Sequence, residues 1–206
     1  ERIHTNTRLE IARGYSNIEF GITGLESIKG SVMEVDLPRL QETIGREIGF
    51  VLGIDYLQTF SFTMNDGRPN LIARATDYPT DKNTWPISVQ QNGSRGIAVE
   101  FPVLGSREMI FDTGFSDHLS LNKSFADAMI RSGDAIEIST TDRLDASGIG
   151  SKSVLVIRGI KLFGIQFQNV PALVGQINAV GMGLLRHIDF VADFPNSVLC
   201  VTTDPV

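Results

Sequence analysis

The chain of 206 residues has little of what metal and redox proteins need. It has one cysteine, Cys200, so it cannot form an intramolecular disulfide or a metal cluster held by several thiolates. Its three histidines, His4, His118 and His187, are not spaced as metal ligands usually are. We therefore expect no metal site and no cofactor.

Long apolar runs and basic runs are also missing. No segment approaches the roughly 18 apolar residues that a membrane-spanning helix needs. The 18 Lys and Arg residues are outnumbered by 24 Asp and Glu residues, for a net charge of −6, whereas nucleic-acid-binding surfaces are basic. We expect no membrane span and no nucleic-acid partner. The chain begins at Glu1 without a leader, so its N-terminus looks processed, which slightly favours a periplasmic or secreted location.

What the sequence does contain is the pattern of a folded, mostly β protein. Hydrophobic residues make up 42% of the chain, which excludes a disordered chain. Short apolar runs alternate with turn-forming residues, as in proteins built from short strands. The predicted strands are Ser31–Val35, Phe60–Met64, Gly96–Val103, Glu108–Phe111, Ser153–Ile157, Ile160–Phe167, Ile188–Ala192 and Val198–Val201.

One helix has clear start and stop signals. It is predicted from Lys123 to Arg131, because Asn122 is a favourable N-cap and Gly133 a favourable end. Phe125, Met129 and Ile130 fall on one face of it.

A polar stretch divides the chain. Residues 77–87 contain Asp, Pro, Thr and Asn with almost no apolar periodicity, which is typical of a connector. The sequence therefore predicts two domains, residues 1–76 and 88–206, joined by a linker over 77–87.

An internal repeat relates the two parts. A shift of 128 residues places Leu52–Ile72 on Val180–Cys200 without a gap. The matched identical pairs are Gly53 with Gly181, Leu57 with Leu185, Phe62 with Phe190 and Leu71 with Leu199. Two β segments that share a pattern by chance are the alternative.

The sharpest local signal is Asp112-Thr113-Gly114, which follows the apolar run that ends at Phe111. A carboxyl group at the end of a buried strand, beside a hydroxyl and a glycine, can have its pKa tuned for acid–base chemistry. The same three residues also fit an ordinary turn. The next residues, Ser116 to His118, are adjacent in sequence, which fits solvated turn residues better than a Ser/His/Asp triad.

Three motifs in this order resemble the retropepsin-like aspartic peptidases. Residues 111–114, Phe-Asp-Thr-Gly, resemble the catalytic loop of that family. Residues 146–151, Ala-Ser-Gly-Ile-Gly-Ser, are similar to its flap hairpin, and residues 180–185, Val-Gly-Met-Gly-Leu-Leu, to its apolar-apolar-Gly element. The resemblance implies a mostly β fold of retropepsin-like barrel lobes with one or two short helices each. Residues 88–206 would be a complete second lobe and 1–76 the C-terminal part of a first.

The resemblance also implies a function. The protein would be an aspartic endopeptidase that hydrolyses peptide bonds of extended polypeptides by activating water between two aspartates. Asp112 would be catalytic, with Thr113 bracing the loop and Gly114 allowing close backbone approach. Its partner would be a peptide or protein substrate, bound by Phe115, Ser116, Gly148, Ile149 and Gly150.

The second aspartate of this mechanism is not visible in the sequence. The first repeat has no Asp-Thr-Gly, and the repeat offset places the matching triad about sixteen residues before Glu1. A first lobe or a second copy in a homodimer would supply the missing carboxyl group. A noncatalytic pepsin-like module that binds peptides or acts as a scaffold is the alternative function.

Overall fold

The computed structural model describes residues 2–4, 9–11, 13–20, 27–34, 57–72, 83–91, 93–145 and 148–202. Strands dominate these residues, so the prediction of a mostly β protein is confirmed. The elements are β1 (Arg2–His4), β2 (Leu9–Ile11), β3 (Arg13–Phe20), β4 (Ile28–Glu34), β5 (Ser61–Asn65), β6 (Arg68–Ile72), β7 (Thr84–Pro86), β8 (Ser88–Val89), β9 (Arg95–Phe101), β10 (Gly105–Asp112), β11 (Leu119–Asn122), α1 (Lys123–Ser132), β12 (Ala135–Asp145), β13 (Gly148–Leu162), β14 (Ile165–Gly175), β15 (Ala179–Gly181), α2 (Met182–Leu185), β16 (Phe190–Asp193) and β17 (Val198–Val201).

Six strands form a closed barrel in the order β9, β10, β15, β11, β14 and β13. The ring closes where β13 pairs with β9, at Lys161 opposite Glu100 and Leu162 opposite Val99. The strands β8 and β12 extend the sheet outside the ring. Along β9, every second side chain, at Ile97, Val99 and Phe101, is buried, because alternate residues of a strand face opposite sides of the sheet. The barrel therefore has an apolar core.

A second sheet, the central sheet, joins the two repeats. Its strand order is β6, β5, β16, β17 and β7, so strands before and after the barrel pair with each other. The register of β5 on β16 places Met64 opposite Phe190 and Phe62 opposite Ala192, with Thr63 opposite Val191 between them. The 128-residue offset relates Met64 to Ala192 and Phe62 to Phe190, so it converts the first two pairs into each other. It also relates Thr63 to Val191, so it leaves the third pair unchanged. A local twofold axis therefore passes between Thr63 and Val191.

The two repeats also share a local backbone contact. The N–H of Phe60 donates to the carbonyl of Leu57 at 3.0 Å, and the N–H of Ile188 donates to the carbonyl of Leu185 at 3.1 Å. Both donors and both acceptors are 128 residues apart. The offset therefore relates equivalent structures up to the ends of β5 and β16.

Beyond those strands the ungapped alignment is wrong. β5 and β6 are joined by the two-residue turn Asp66-Gly67, in which both φ angles are positive, at 49° and 69°. β16 and β17 are joined by the four residues from Phe194 to Ser197. Because the second turn is two residues longer, the structural partner of Leu71 is Val201, not Leu199.

Helix α1 matches its predicted start and end. The side chain of Asn122 accepts from the N–H of Phe125, and Gly133 ends the helix in a left-handed conformation, with φ 79°. Met129 is buried as predicted. Ile130, predicted on the same face, is 39% exposed.

Two other predictions need correction. The predicted strand Ile160–Phe167 is broken, because Phe163 and Gly164 form a turn with positive φ angles of 51° and 78°. The predicted linker contributes β7, which pairs with β17 and so becomes an edge of the central sheet. The domain boundaries themselves stay a prediction.

The described residues contain neither a membrane-spanning helix nor a cluster of metal ligands. Within the described ranges, no helix is long and apolar enough to cross a membrane. The same part of the chain contains no cluster of three or more His, Cys, Asp or Glu side chains that could hold a metal ion.

Candidate active site

Asp112 is the last residue of β10, a barrel strand. β10 runs parallel to β15, with Phe111 opposite Val180 and Asp112 opposite Gly181. On its other side it is antiparallel to β9. Because the strand before Asp112 is held on both sides, the backbone position of this carboxyl group is set by the barrel.

Phe111 attaches this strand end to the central sheet. Its ring lies edge-on to Phe190 at 5.8 Å, to Phe194 at 6.0 Å and to Phe62 at 6.5 Å between centroids. Phe62 and Phe190 also contact each other, at 6.0 Å, and they are equivalent under the repeat. Phe111 therefore contacts one phenylalanine from each repeat, beside the twofold axis, and Asp112 is the next residue.

The loop after Asp112 is held by residues 181–183, which belong to the predicted apolar-apolar-Gly element. The N–H groups of Gly181, Met182 and Gly183 donate to three carbonyls of the loop, at 2.9, 2.7 and 3.0 Å. The acceptors are the carbonyl oxygens of His118, Phe115 and Asp117, respectively.

Two glycines permit this close contact. A Cβ atom on Gly181 would overlap the carbonyl oxygens of Phe115 and Asp117. A Cβ atom on Gly183 would lie 2.6 Å from the carbonyl carbon of Asp117 and 2.8 Å from the nitrogen of His118, closer than side chains are found. Glycine is thus required here by the approach of the loop backbone.

The Asp112 carboxyl group is half-buried, and burial raises its pKa above the ordinary value of 3.8. Hydrogen bonds from the backbone N–H groups of Gly114 and Phe115 act in the opposite direction and stabilise the charged form. The Gly114 N–H lies 2.9 Å from Oδ1 of Asp112. Since burial is the largest effect, the site favours the protonated acid more than water does.

The raised pKa of Asp112 predicts how the stability of the protein depends on pH. Because the native state holds the proton more tightly than the unfolded chain does, the free energy of unfolding falls as pH rises from 3.8 through the native pKa. We expect the Asp112→Asn variant to melt at a higher temperature than the wild type at about pH 7, and to lose this advantage at about pH 3.

Thermal unfolding at both pH values would test this. The matched control is Asp142→Asn, which removes an exposed carboxyl group from β12. An Asp112→Asn advantage that is the same at both pH values would contradict a raised pKa.

The other predicted residues of the loop lie beside Asp112. Thr113 and Phe115 are half-buried, and Gly114 and Ser116 are exposed. The structure places these four residues together because they are consecutive in one loop. Their roles toward a substrate stay predictions.

The predicted flap is the end of the hairpin formed by β12 and β13. Gly148 lies opposite Asp145, Ile149 opposite Leu144 and Gly150 opposite Arg143. Residues 146 and 147 of the predicted motif lie outside the described residues, as does the Ile149 side chain. The hairpin is therefore present, and the contact of its end with a substrate stays a prediction.

Sequence reasoning missed a histidine pair at the loop. The rings of His118 and His187 stack at 6.4 Å between centroids, with 23° between their planes. His118 is half-buried, so describing it as a solvated turn residue was wrong. His187 follows α2, and only the contact of α2 with the loop brings the two rings together. No pattern in the sequence indicates this pairing.

Burial lowers the pKa of His118 below 6.5, and the nearby charges of His187 and Arg186 lower it further, while Asp117 raises it. The unfolded chain then binds more protons than the native state below pH 6.5, so stability falls as pH falls through this range. We expect the His118→Gln variant to lose less stability than the wild type between about pH 7 and about pH 5. Denaturant midpoints at both pH values measure this, and His4→Gln is the control. Equal losses in wild type and His118→Gln would contradict the prediction.

Comparison with known proteins bears on the fold alone. No family model and no curated protein matches the chain. A solved structure that it resembles is a retropepsin-like aspartic protease from Rickettsia conorii, with 23% sequence identity. The match covers 58% of this chain and 98% of that chain, with a TM-score of 0.43.

Proposed function

We propose that this protein is an aspartic endopeptidase that acts on extended polypeptides, with Asp112 as one of two paired carboxyl groups. The place of Asp112 carries the proposal. It is half-buried at the end of a barrel strand, and the preceding Phe111 contacts both repeat-related phenylalanines beside the twofold axis. An element related to β10 by that axis would bring a second carboxyl group close to Asp112.

Two carboxyl groups in this position would share one proton, because two like charges a few ångströms apart cannot both form without a large cost. The ionised oxygen then takes a proton from a water molecule, which attacks the peptide carbonyl. The protonated partner polarises that carbonyl and later protonates the leaving nitrogen. The raised pKa of Asp112 supports this role, since one of the two groups must keep its proton.

We further propose that the second carboxyl group comes from a first lobe of the same protein. The central sheet supports this choice over a homodimer. A second copy would have to pair with β16 about the twofold axis, and β5 of the same chain already occupies that edge in a symmetric register.

The loop and the hairpin supply the other parts of the proposed site. Thr113 and Gly114 follow Asp112; Thr113 would brace the loop, and the Gly114 N–H donates to the Asp112 carboxylate. Phe115, Ser116 and the hairpin end at Gly148, Ile149 and Gly150 would contact the substrate strand. An extended peptide suits such a site, because strand-like backbones are recognised through their N–H and C=O groups.

The test is cleavage of an unfolded protein between about pH 3 and about pH 7, the range in which paired carboxyl groups titrate. The assay is run on this chain and on a chain that is extended upstream through the position that matches Asp112. We expect cleavage by the extended chain, blocked by a statine-type inhibitor. No cleavage by either chain, with retained binding of the peptide, would instead support the noncatalytic peptide-binding module.

A further inference from the structure

Asn178 contacts both strands that flank the Asp112 loop. Its carbonyl oxygen accepts from the N–H of Ile110 at 2.9 Å, two residues before Asp112 on β10. Its side-chain Oδ1 accepts from the N–H of Asn122 at 2.8 Å, at the end of β11. We propose that Asn178 is a positioning residue for Asp112, which links β10, two residues before Asp112, to the far end of β11, the strand that follows the loop. The proposal rests on the proposed function only where it concerns catalysis.

The path of the chain explains why a side chain is used at this position. β11 lies between β14 and β15, but β14 ends at Gly175, opposite Asn122. β15 begins only at Ala179, which pairs with Ser120. Asn122 therefore lies beyond the start of β15, the antiparallel partner of β11. Its N–H donates instead to the side-chain oxygen of Asn178. A partly buried N–H without an acceptor would cost free energy.

The hydrogen bonds that begin at Asn178 continue through Asn122 to the start of helix α1. The side chain of Asn122 accepts from the N–H of Phe125 at 2.9 Å and from the hydroxyl of Ser124 at 2.8 Å, which caps the helix. Next to Asn178, the carbonyl of Ile177 accepts from the hydroxyl of Ser120 at 3.0 Å. One short segment thus holds β10, β11 and the start of α1 together.

The repeat gives an independent argument that the amide serves the loop of this lobe. Under the 128-residue offset, the residue that matches Asn178 is Phe50, which has no side-chain acceptor. Of these two positions, only the one in the lobe that carries Asp112 has a side-chain amide.

The test compares three variants by amide hydrogen exchange and by steady-state cleavage. Asn178→Leu removes the acceptor at similar volume, Asn178→Asp keeps an acceptor, and Gln176→Leu changes an exposed amide of the same segment. In Asn178→Leu we expect the amides of Asn122, Gly114 and Phe115 to exchange about 2 to 10 times faster, since one hydrogen bond is lost. We expect kcat to fall by about 10- to 100-fold with little change in KM. Asn178→Asp and Gln176→Leu should stay close to the wild type.

Two outcomes would overturn the proposal. One is faster exchange spread evenly over the barrel, which would mark a purely structural role. The other is unchanged exchange of Gly114 and Phe115 in the Leu variant. If Asn178→Leu does not fold, Asn178→Ser gives the same comparison, because its hydroxyl is too short to reach Asn122. The exchange readout needs no cleavage, so failure of the proposed activity and failure of this inference are distinguishable.

Discussion

The Asp112→Asn variant is expected to lose cleavage of an unfolded protein by at least about 10²- to 10⁴-fold, the usual contribution of a group that transfers protons in the transition state. The substitution removes the ionisable acid and changes little else. The amide oxygen of asparagine can still accept from the Gly114 N–H, which lies 2.9 Å from the carboxylate in the wild type. The measurement is kcat/KM on the chain that shows activity, at several pH values.

The control for this result is the Asp142→Asn variant, which neutralises an exposed carboxyl group of the same lobe. It should retain the activity of the wild type. Cleavage by Asp112→Asn at the wild-type rate would sink the proposal that this residue is catalytic. A contaminating protease would give such a result as well, so the activity must also coelute with the purified protein.

Replacement of Phe111 by Ala should destabilise the protein by about 3–5 kcal/mol, the usual cost of truncating a buried phenylalanine. The Phe111 side chain is 7% exposed, and its ring contacts three other phenylalanines. The loss is large compared with a total stability of roughly 5–15 kcal/mol. Because Phe62 and Phe190 belong to the central sheet, the cavity would weaken the contact between the barrel and that sheet.

Urea unfolding measures this effect, as a lower midpoint at an unchanged slope. Phe111→Leu keeps most of the volume and is expected to cost less than about 1.5 kcal/mol. Phe62→Ala is the matched control, since Phe62 is only half-buried and its loss should cost less than that of Phe111. A smaller loss for Phe111→Ala than for Phe62→Ala would contradict the expected cost.

The sequence predicted features that depend on neighbours along the chain. Asn122 and Gly133 marked the ends of helix α1, because capping is decided within a few residues. The strand that ends at Asp112 was predicted from its apolar run and the turn residues after it. The 128-residue offset was also visible, and the pairing of β5 with β16 agrees with it. The turn at Phe163 was missed, because a phenylalanine with positive φ is rare and no turn residue precedes it.

Contacts between distant segments were decided only by the tertiary structure. The sequence determined a mostly β chain, a repeat and a carboxyl group at a strand end. It did not determine that Phe111 contacts one phenylalanine from each repeat, that His187 stacks on His118, or that Asn178 contacts both sides of the loop. The physical reason is that strand and cap preferences act over a few residues. The burial of Asp112 and the acceptors for its loop depend instead on how the barrel closes and how the repeats pair.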